Sequence, residues 1–134
     1  MDVQAEIQEF LAGSSFAVAG ASTNREKYGN KVLRCYLQND LVAWPVHPSE
    51  EEIEGVACSP DLASLPEDVH GLSIITPPAV TESLVEQAAE AGIKRLWMQP
   101  GAESPKAVER ALELGLHVIA GGPCLLVALN FRDE

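Results

Sequence analysis

Apolar residues along the chain fall into two spacings, helical series and short unbroken runs, and the two alternate. Val3, Ile7, Phe10 and Leu11 lie at i, i+4, i+7 and i+8, one face of a helix that Asp2 can cap and Gly13 ends. Phe16-Ala-Val-Ala19 is an apolar run stopped by Gly20, the mark of a buried strand. A polar loop follows, and a helix begins near Gly29 with Val32, Leu33, Tyr36 and Leu37 inward. Leu41 to Val46 predicts a second strand, with Pro45 near its end, where a missing N–H is tolerated. Ser59-Pro60 is an N-cap and first-turn pair for a short helix that Pro66 closes. Gly71 to Ile75 predicts a third strand, broken by Thr76-Pro77-Pro78. Val80, Leu84, Val85, Ala88 and Ala91 then form an amphipathic helix with Gly92 as its stop. A fourth strand lies within Ile93 to Met98. Ser104-Pro105 opens the next helix, with Val108, Ala111 and Leu112 inward and Gly115 closing it. Leu116 to Ala120 is the fifth strand, and Gly121-Gly122-Pro123 leads into a short apolar C-terminal helix.

Strands that alternate with helices from end to end specify an α/β fold. It has a parallel sheet of about five strands, right-handed crossovers, and helices over both faces, making three layers. Nothing in the pattern reads as a linker or repeat, so residues 1–134 are expected to form one domain. The acidic run Glu50-Glu51-Glu52 reads as a solvated loop.

Composition narrows the partners. The formal net charge is −11. Such a surface repels nucleic acid and anionic membranes, and it repels a phosphorylated ligand unless cations gather locally. Cys35, Cys58 and Cys124 are scattered with no paired spacing, which argues for reduced thiols in a cytoplasm over disulfides or zinc. The first residues lack the basic-then-apolar order of a signal peptide, and no apolar run reaches membrane-spanning length.

In a sheet of this kind ligands sit outside the carboxyl ends of the strands, near the point where strand order reverses. After the first strand comes Gly20-Ala21-Ser22. It starts as a dinucleotide-binding turn does, but Ser22 stands where a second glycine is usual, and the next glycine is delayed to Gly29. On this segment alone two readings stand level. One is a phosphate cradle built from backbone N–H groups and the Ser22 hydroxyl, and the other is a plain strand-to-helix turn. Charge favours the cradle. Arg25, Lys27, Lys31 and Arg34 crowd this loop and helix in a chain with only nine Lys and Arg, and Glu26 is the sole acid between Gly20 and Asn39. Arg25 and Lys27, nearest the loop, are the expected ligand contacts.

After the second strand comes Val46-His47-Pro48 in place of the Asp or Glu that NAD sites use for the ribose. His47 can reach a ribose or its phosphate, but spacing alone favours an ordinary strand-end histidine. Thr76-Pro77-Pro78 makes a rigid apolar wall, and Gln99 is expected to aim its amide at the same cleft. Gly121-Gly122-Pro123 offers another helix start. Catalytic machinery is thin. His47, His70 and His117 lie on different elements, and Gly20-Ala21-Ser22 lacks the second glycine of a nucleophile elbow. Cys124 is either a thiol activated by a helix start or, on its apolar neighbours, a buried structural cysteine.

Taken together, Val18-Ala-Gly-Ala-Ser22, Pro45-Val-His-Pro48, Ile75-Thr-Pro-Pro78, Ala91-Gly-Ile-Lys94 and Leu96-Trp-Met-Gln-Pro-Gly101 resemble the CoA-binding domain family. These are small Rossmann-like proteins similar to the N-terminal domain of the succinyl-CoA synthetase alpha subunit. The resemblance runs from the first helix to Cys124. It implies coenzyme A along the carboxyl edge of the sheet. The phosphate-bearing adenosine end would lie near Gly20, Ala21, Ser22 and Arg25, flanked by Val46, His47 and Pro48, with Thr76, Pro77 and Pro78 opposite. Two positions depart from the family: His47 stands where Asn is commoner and is followed by Ser49 and three glutamates, and Gly122-Pro123 replaces a charged residue before the cysteine. The synthetase's phosphorylated histidine belongs to a further domain outside this sequence.

The expectation is a cytoplasmic protein that binds CoA or acyl-CoA without catalysis of its own, alone, as a homodimer or beside a partner enzyme. The rivals are three. One is a small NAD(P)-dependent or acyl-CoA-handling enzyme using His47 as proton donor. Another is a regulatory module that senses or has lost its ligand. The third is a protein that forms a mixed disulfide between Cys124 and CoA.

Overall fold

The computed structural model describes residues 3–122 and 124–133. The capping role expected of Asp2 and the turn at Pro123 lie outside the described residues. The chain alternates as its apolar pattern predicts. Helix α1 (Val3–Leu11) precedes β1 (Ser15–Ala19), α2 (Tyr28–Gln38) and β2 (Val42–Val46). A two-stranded insertion, β3 (Glu52–Ile53) and β4 (Val56–Ala57), and a single 3-10 turn (Leu62–Ser64) lead to β5 (Gly71–Ile74). Then come α3 (Pro78–Glu90), β6 (Arg95–Met98), α4 (Pro105–Glu113), β7 (His117–Ile119) and α5 (Leu125–Ala128).

The five main strands order as β2-β1-β5-β6-β7, all parallel, which is a Rossmann-like α/β fold. Strand order reverses at β1. The chain leaves β1 for β2 on one side and returns to β5 on the other, with Ala19 beside both Val46 and Ile74. Successive side chains serve opposite layers, as a pleated strand buried on both faces requires. Ala17, Ala19, Leu72, Ile74, Leu96 and Met98 pack under α3 and α4, while Phe16, Val18 and Trp97 pack under α1, α2 and α5. The second layer is centred on aromatics. Phe16 stacks on Tyr36 at 4.8 Å between ring centroids, and Phe10 meets Trp97 edge-on at 5.3 Å. Ser73, buried in the sheet, shares a 2.6 Å hydrogen bond with the Tyr36 hydroxyl.

β2 is an edge strand, and Pro45 survives there for a local reason. Its carbonyl accepts from Ser59 N at 3.0 Å on the outer side. Its nitrogen therefore faces outward too, away from the β1 ladder.

Val3 and Val80, expected on the apolar faces of α1 and α3, are exposed, and three further local expectations need correction. The acidic run is not loop throughout: Glu52 pairs with Ala57 in a hairpin whose tip, Glu54-Gly55, has positive φ at both residues (53° and 80°). The helix expected at Ser59-Pro60 is only the Leu62–Ser64 turn. Asp61 caps it, its carboxylate accepting from Ser64 N at 3.0 Å, while Ser59 bridges to Val46 at the sheet edge. On α4, Val108 and Ala111 face the core as expected, but Leu112 is exposed and Ala107 is buried instead, because small residues let the helix sit close to the sheet. Among the described residues no helix is long and apolar enough to cross a membrane.

Candidate functional site

The site is built where β1, β2 and β5 end side by side. Gly20 leaves β1 with φ +94°, and a Cβ there would lie 1.9 Å from the carbonyl oxygen of Ile75. Gly29 is its counterpart in the first turn of α2, where a Cβ would lie 1.9 Å from the carbonyl oxygen of Gly20. The delayed glycine therefore has a physical task. It lets the start of α2 press against the turn after β1, closer than any side chain allows.

The intervening loop is held by its own polar groups. Ser22 Oγ accepts from Asn24 N at 3.1 Å, and Asn24 Oδ1 accepts from Glu26 N at 3.0 Å. As an acceptor in this turn, the Ser22 hydroxyl keeps its proton to donate elsewhere. The α2 N-cap position is Lys27, which makes no side-chain capping bond, and no acid stands in the helix's first turn. The orphan N–H groups of that turn and the positive end of the helix dipole thus lack the usual carboxylate or hydroxyl cap. Such a terminus suits an anion.

The four cations of this segment divide. Arg34 is buried at 5% exposure. Its Nε donates to Asn30 Oδ1 at 2.7 Å, its Nη2 to the Arg25 carbonyl at 2.9 Å, and its guanidinium lies 5.1 Å from the Phe131 ring centroid. It ties α2 to the loop and to the C-terminal segment. Lys31 lies 3.9 Å from Asp133 in the same segment. Arg25 and Lys27 stay exposed beside the loop. Arg25 Nε pairs with Glu54 Oε2 at 3.3 Å, from the tip of the β3–β4 hairpin.

On the neighbouring strand ends, Val46 packs into the core and Pro48 is exposed. His47 Nδ1 accepts from Ser49 N at 3.1 Å and Glu50 N at 3.0 Å, so the ring closes its own turn and only Nε2 is left for another partner. Thr76 shares a 2.8 Å hydroxyl bond with Thr81, fastening the β5 exit to α3. Pro77 and Pro78 are exposed at the start of that helix.

Gln99 is fully buried. Its Oε1 accepts from the Tyr28 hydroxyl at 3.2 Å and from Leu125 N at 2.9 Å, which joins α2 to α5 across the end of β6. Its Nε2 is buried with no partner among the described residues. The Tyr28 hydroxyl also contacts Cys124 Sγ. Burial pushes the Tyr28 phenol well above its ordinary range, and the Cys124 contact adds to this.

The sequence profile of the CoA binding domain matches residues 14–130. The chain belongs to the CoA binding domain family. Acetate–CoA ligase (ADP-forming) I of Archaeoglobus fulgidus is 27% identical over 124 residues, covering 85% of this chain but 18% of the ligase. The chain thus spans less than a fifth of that relative's length. Among solved structures, a hypothetical protein from Pyrococcus horikoshii OT3 superposes with a TM-score of 0.88 at 27% identity, over 95% of this chain and 89% of that one. A conserved hypothetical protein from Pyrococcus furiosus gives 0.81 at 38% identity, over 85% and 97%.

In this CoA binding domain the strand ends bring Gly20, Ala21, Ser22, Arg25 and Lys27 to one side of the β1–β5 boundary and Thr76, Pro77 and Pro78 to the other. Val46, His47 and Pro48 stand at the β2 end. Three residues of the arrangement were not legible as site residues: Tyr28, Asn30 and Glu54. Tyr28 and Asn30 flank Gly29, and polar residues on both sides of a helix-start glycine are the signal they offered. Glu54 offered none, because the hairpin that carries it has no apolar period.

Proposed function

We propose that the chain binds coenzyme A or an acyl-CoA along the carboxyl edge of the sheet, as one unit over residues 1–134. One observation carries the reading: the start of α2, with no side-chain cap and no acid of its own in the first turn, is pressed by the Gly20–Gly29 contact onto the turn after β1. The N–H groups there and the Ser22 hydroxyl take the pyrophosphate as hydrogen-bond donors, with Ala21 in the turn and Lys27 beside it. Val46 to Pro48 and Thr76 to Pro78 flank the adenosine, and the exposed prolines supply flat apolar contact. Gln99 fixes the far wall of the cleft by joining α2 to α5. The domain supplies binding alone, and any chemistry on the ligand falls to a partner enzyme or a second copy.

Calorimetric titration of the full chain with CoA tests this. Saturable heat is expected, together with a rise in melting temperature. No heat and no thermal shift at millimolar CoA would overturn the reading, and NADH bound in preference to CoA would turn it toward a reductase.

A further inference from the structure

The tip of the β3–β4 hairpin reaches the site. Glu54 has φ 53°, in the left-handed region that Gly and Asn fill more readily than Glu. Its side chain is nevertheless only 22% exposed, because its carboxylate lies against the loop after β1. There Glu54 Oε2 accepts from Asn30 Nδ2 at 3.1 Å and pairs with Arg25 Nε at 3.3 Å. Asn30 is itself fully buried and committed, donating to the Ser22 carbonyl at 2.8 Å and accepting from Arg34 Nε at 2.7 Å. The two-residue hairpin tip sets this backbone, and the buried amide of Asn30 fixes where the carboxylate lies.

We infer that Glu54 sets the ligand class: the site takes an adenosine diphosphate ester through N–H groups and selects against an added phosphate monoester. This rests on the CoA reading. Of the four cations in the loop and α2, three face carboxylates of the chain itself: Arg25 faces Glu54, and Lys31 and Arg34 face Asp133. A pyrophosphate held by uncharged backbone donors does not need them. A phosphate monoester near Arg25 does, and there it meets the Glu54 carboxylate at close range, where like charges repel strongly. The 3′-phosphate that distinguishes CoA from dephospho-CoA is therefore not used for affinity by this chain.

The full chain and its Glu54→Gln and Glu54→Asn variants are titrated calorimetrically with CoA and with dephospho-CoA. Gln keeps an oxygen for Asn30 and loses the charge, and Asn suits the left-handed backbone, so the two variants fail to fold for different reasons if at all. The natural chain should bind CoA no tighter than dephospho-CoA. Both variants should bind CoA about five- to tenfold tighter, with dephospho-CoA changed by less than about twofold. A natural preference for CoA of about tenfold, or equal gains on both ligands, overturns the inference and leaves the CoA reading intact. If neither ligand binds any form, the CoA reading falls. Inorganic phosphate, followed by thermal shift, then decides on Glu54: stabilisation of both variants but not of the natural chain upholds it, and equal response overturns it.

Discussion

Gly29 sets two effects of different size against each other. It lies inside a helix, where alanine is ordinarily better by about 0.5–1 kcal/mol. Its absent Cβ would stand 1.9 Å from the Gly20 carbonyl oxygen, a rigid backbone atom in a turn that is itself pinned against Ile75. Overpacking of this sort costs on the order of 1–3 kcal/mol, so the contact outweighs the propensity. Gly29→Ala should therefore lower the melting temperature by about 5 °C and weaken CoA, because α2 must back away from the turn. An unchanged or higher melting temperature would mean that the helix start yields without cost, and that the Gly20–Gly29 contact does not set the site's geometry.

At the scale of elements, α2 joins core and site through groups that resist ionisation. Burial pushes the Cys35 thiol up to about 11, and Cys124 adds to the shift. Burial also raises the Tyr28 and Tyr36 phenols above their ordinary range. In each case the folded chain holds its proton more tightly than the unfolded chain does. The stability tied to these protons is complete below about pH 9, the ordinary thiol value, and is lost as pH rises toward 11 and beyond. The urea midpoint should stay level from pH 7 to 8.5 and fall between pH 9 and 11, with a shallower fall in Cys35→Ala. A level midpoint to pH 11 would contradict the burial of this face.

How far such elements can be read from sequence depends on their length. Phe16 to Ala19 and the series at Val32, Leu33, Tyr36 and Leu37 carry enough apolar residues to fix a period, and both stand where the pattern put them. β3 and β4 hold two residues each and carry no period. The acidic run Glu50-Glu51-Glu52 reads as a solvated loop, and nothing in the pattern marks Glu54 or β4. On α4 only Leu112 was misplaced, because a buried alanine such as Ala107 gives a weak apolar signal beside it. Gly20, Ser22 and Gly29 were legible as a turn, but the reason for the delayed glycine is a backbone contact that spacing alone does not reveal.

Over the whole molecule, a net charge of −11 surrounds a cleft proposed to take a polyanion. If free lysines and arginines held the phosphates, added salt would screen them and affinity would fall, as it does when cations dominate anion binding. The arrangement here is different. On the proposed reading the donors are backbone N–H groups at the start of α2, whose short-range bonds salt barely touches, and Arg25, Lys31 and Arg34 are matched by Glu54 and Asp133. What remains at long range is the repulsion of the acidic surface. Raising ionic strength shortens the reach of that repulsion, from about 30 Å at 0.01 M to about 10 Å at 0.1 M. Affinity for CoA should thus hold level or rise between 0.02 M and 0.2 M NaCl, measured by calorimetry, and the gain should shrink for dephospho-CoA, which carries less charge. A fall of more than about threefold would show that unpaired cations do the binding after all. Attention would then move from the helix start to Lys27, as the exposed basic side chain at its N-cap.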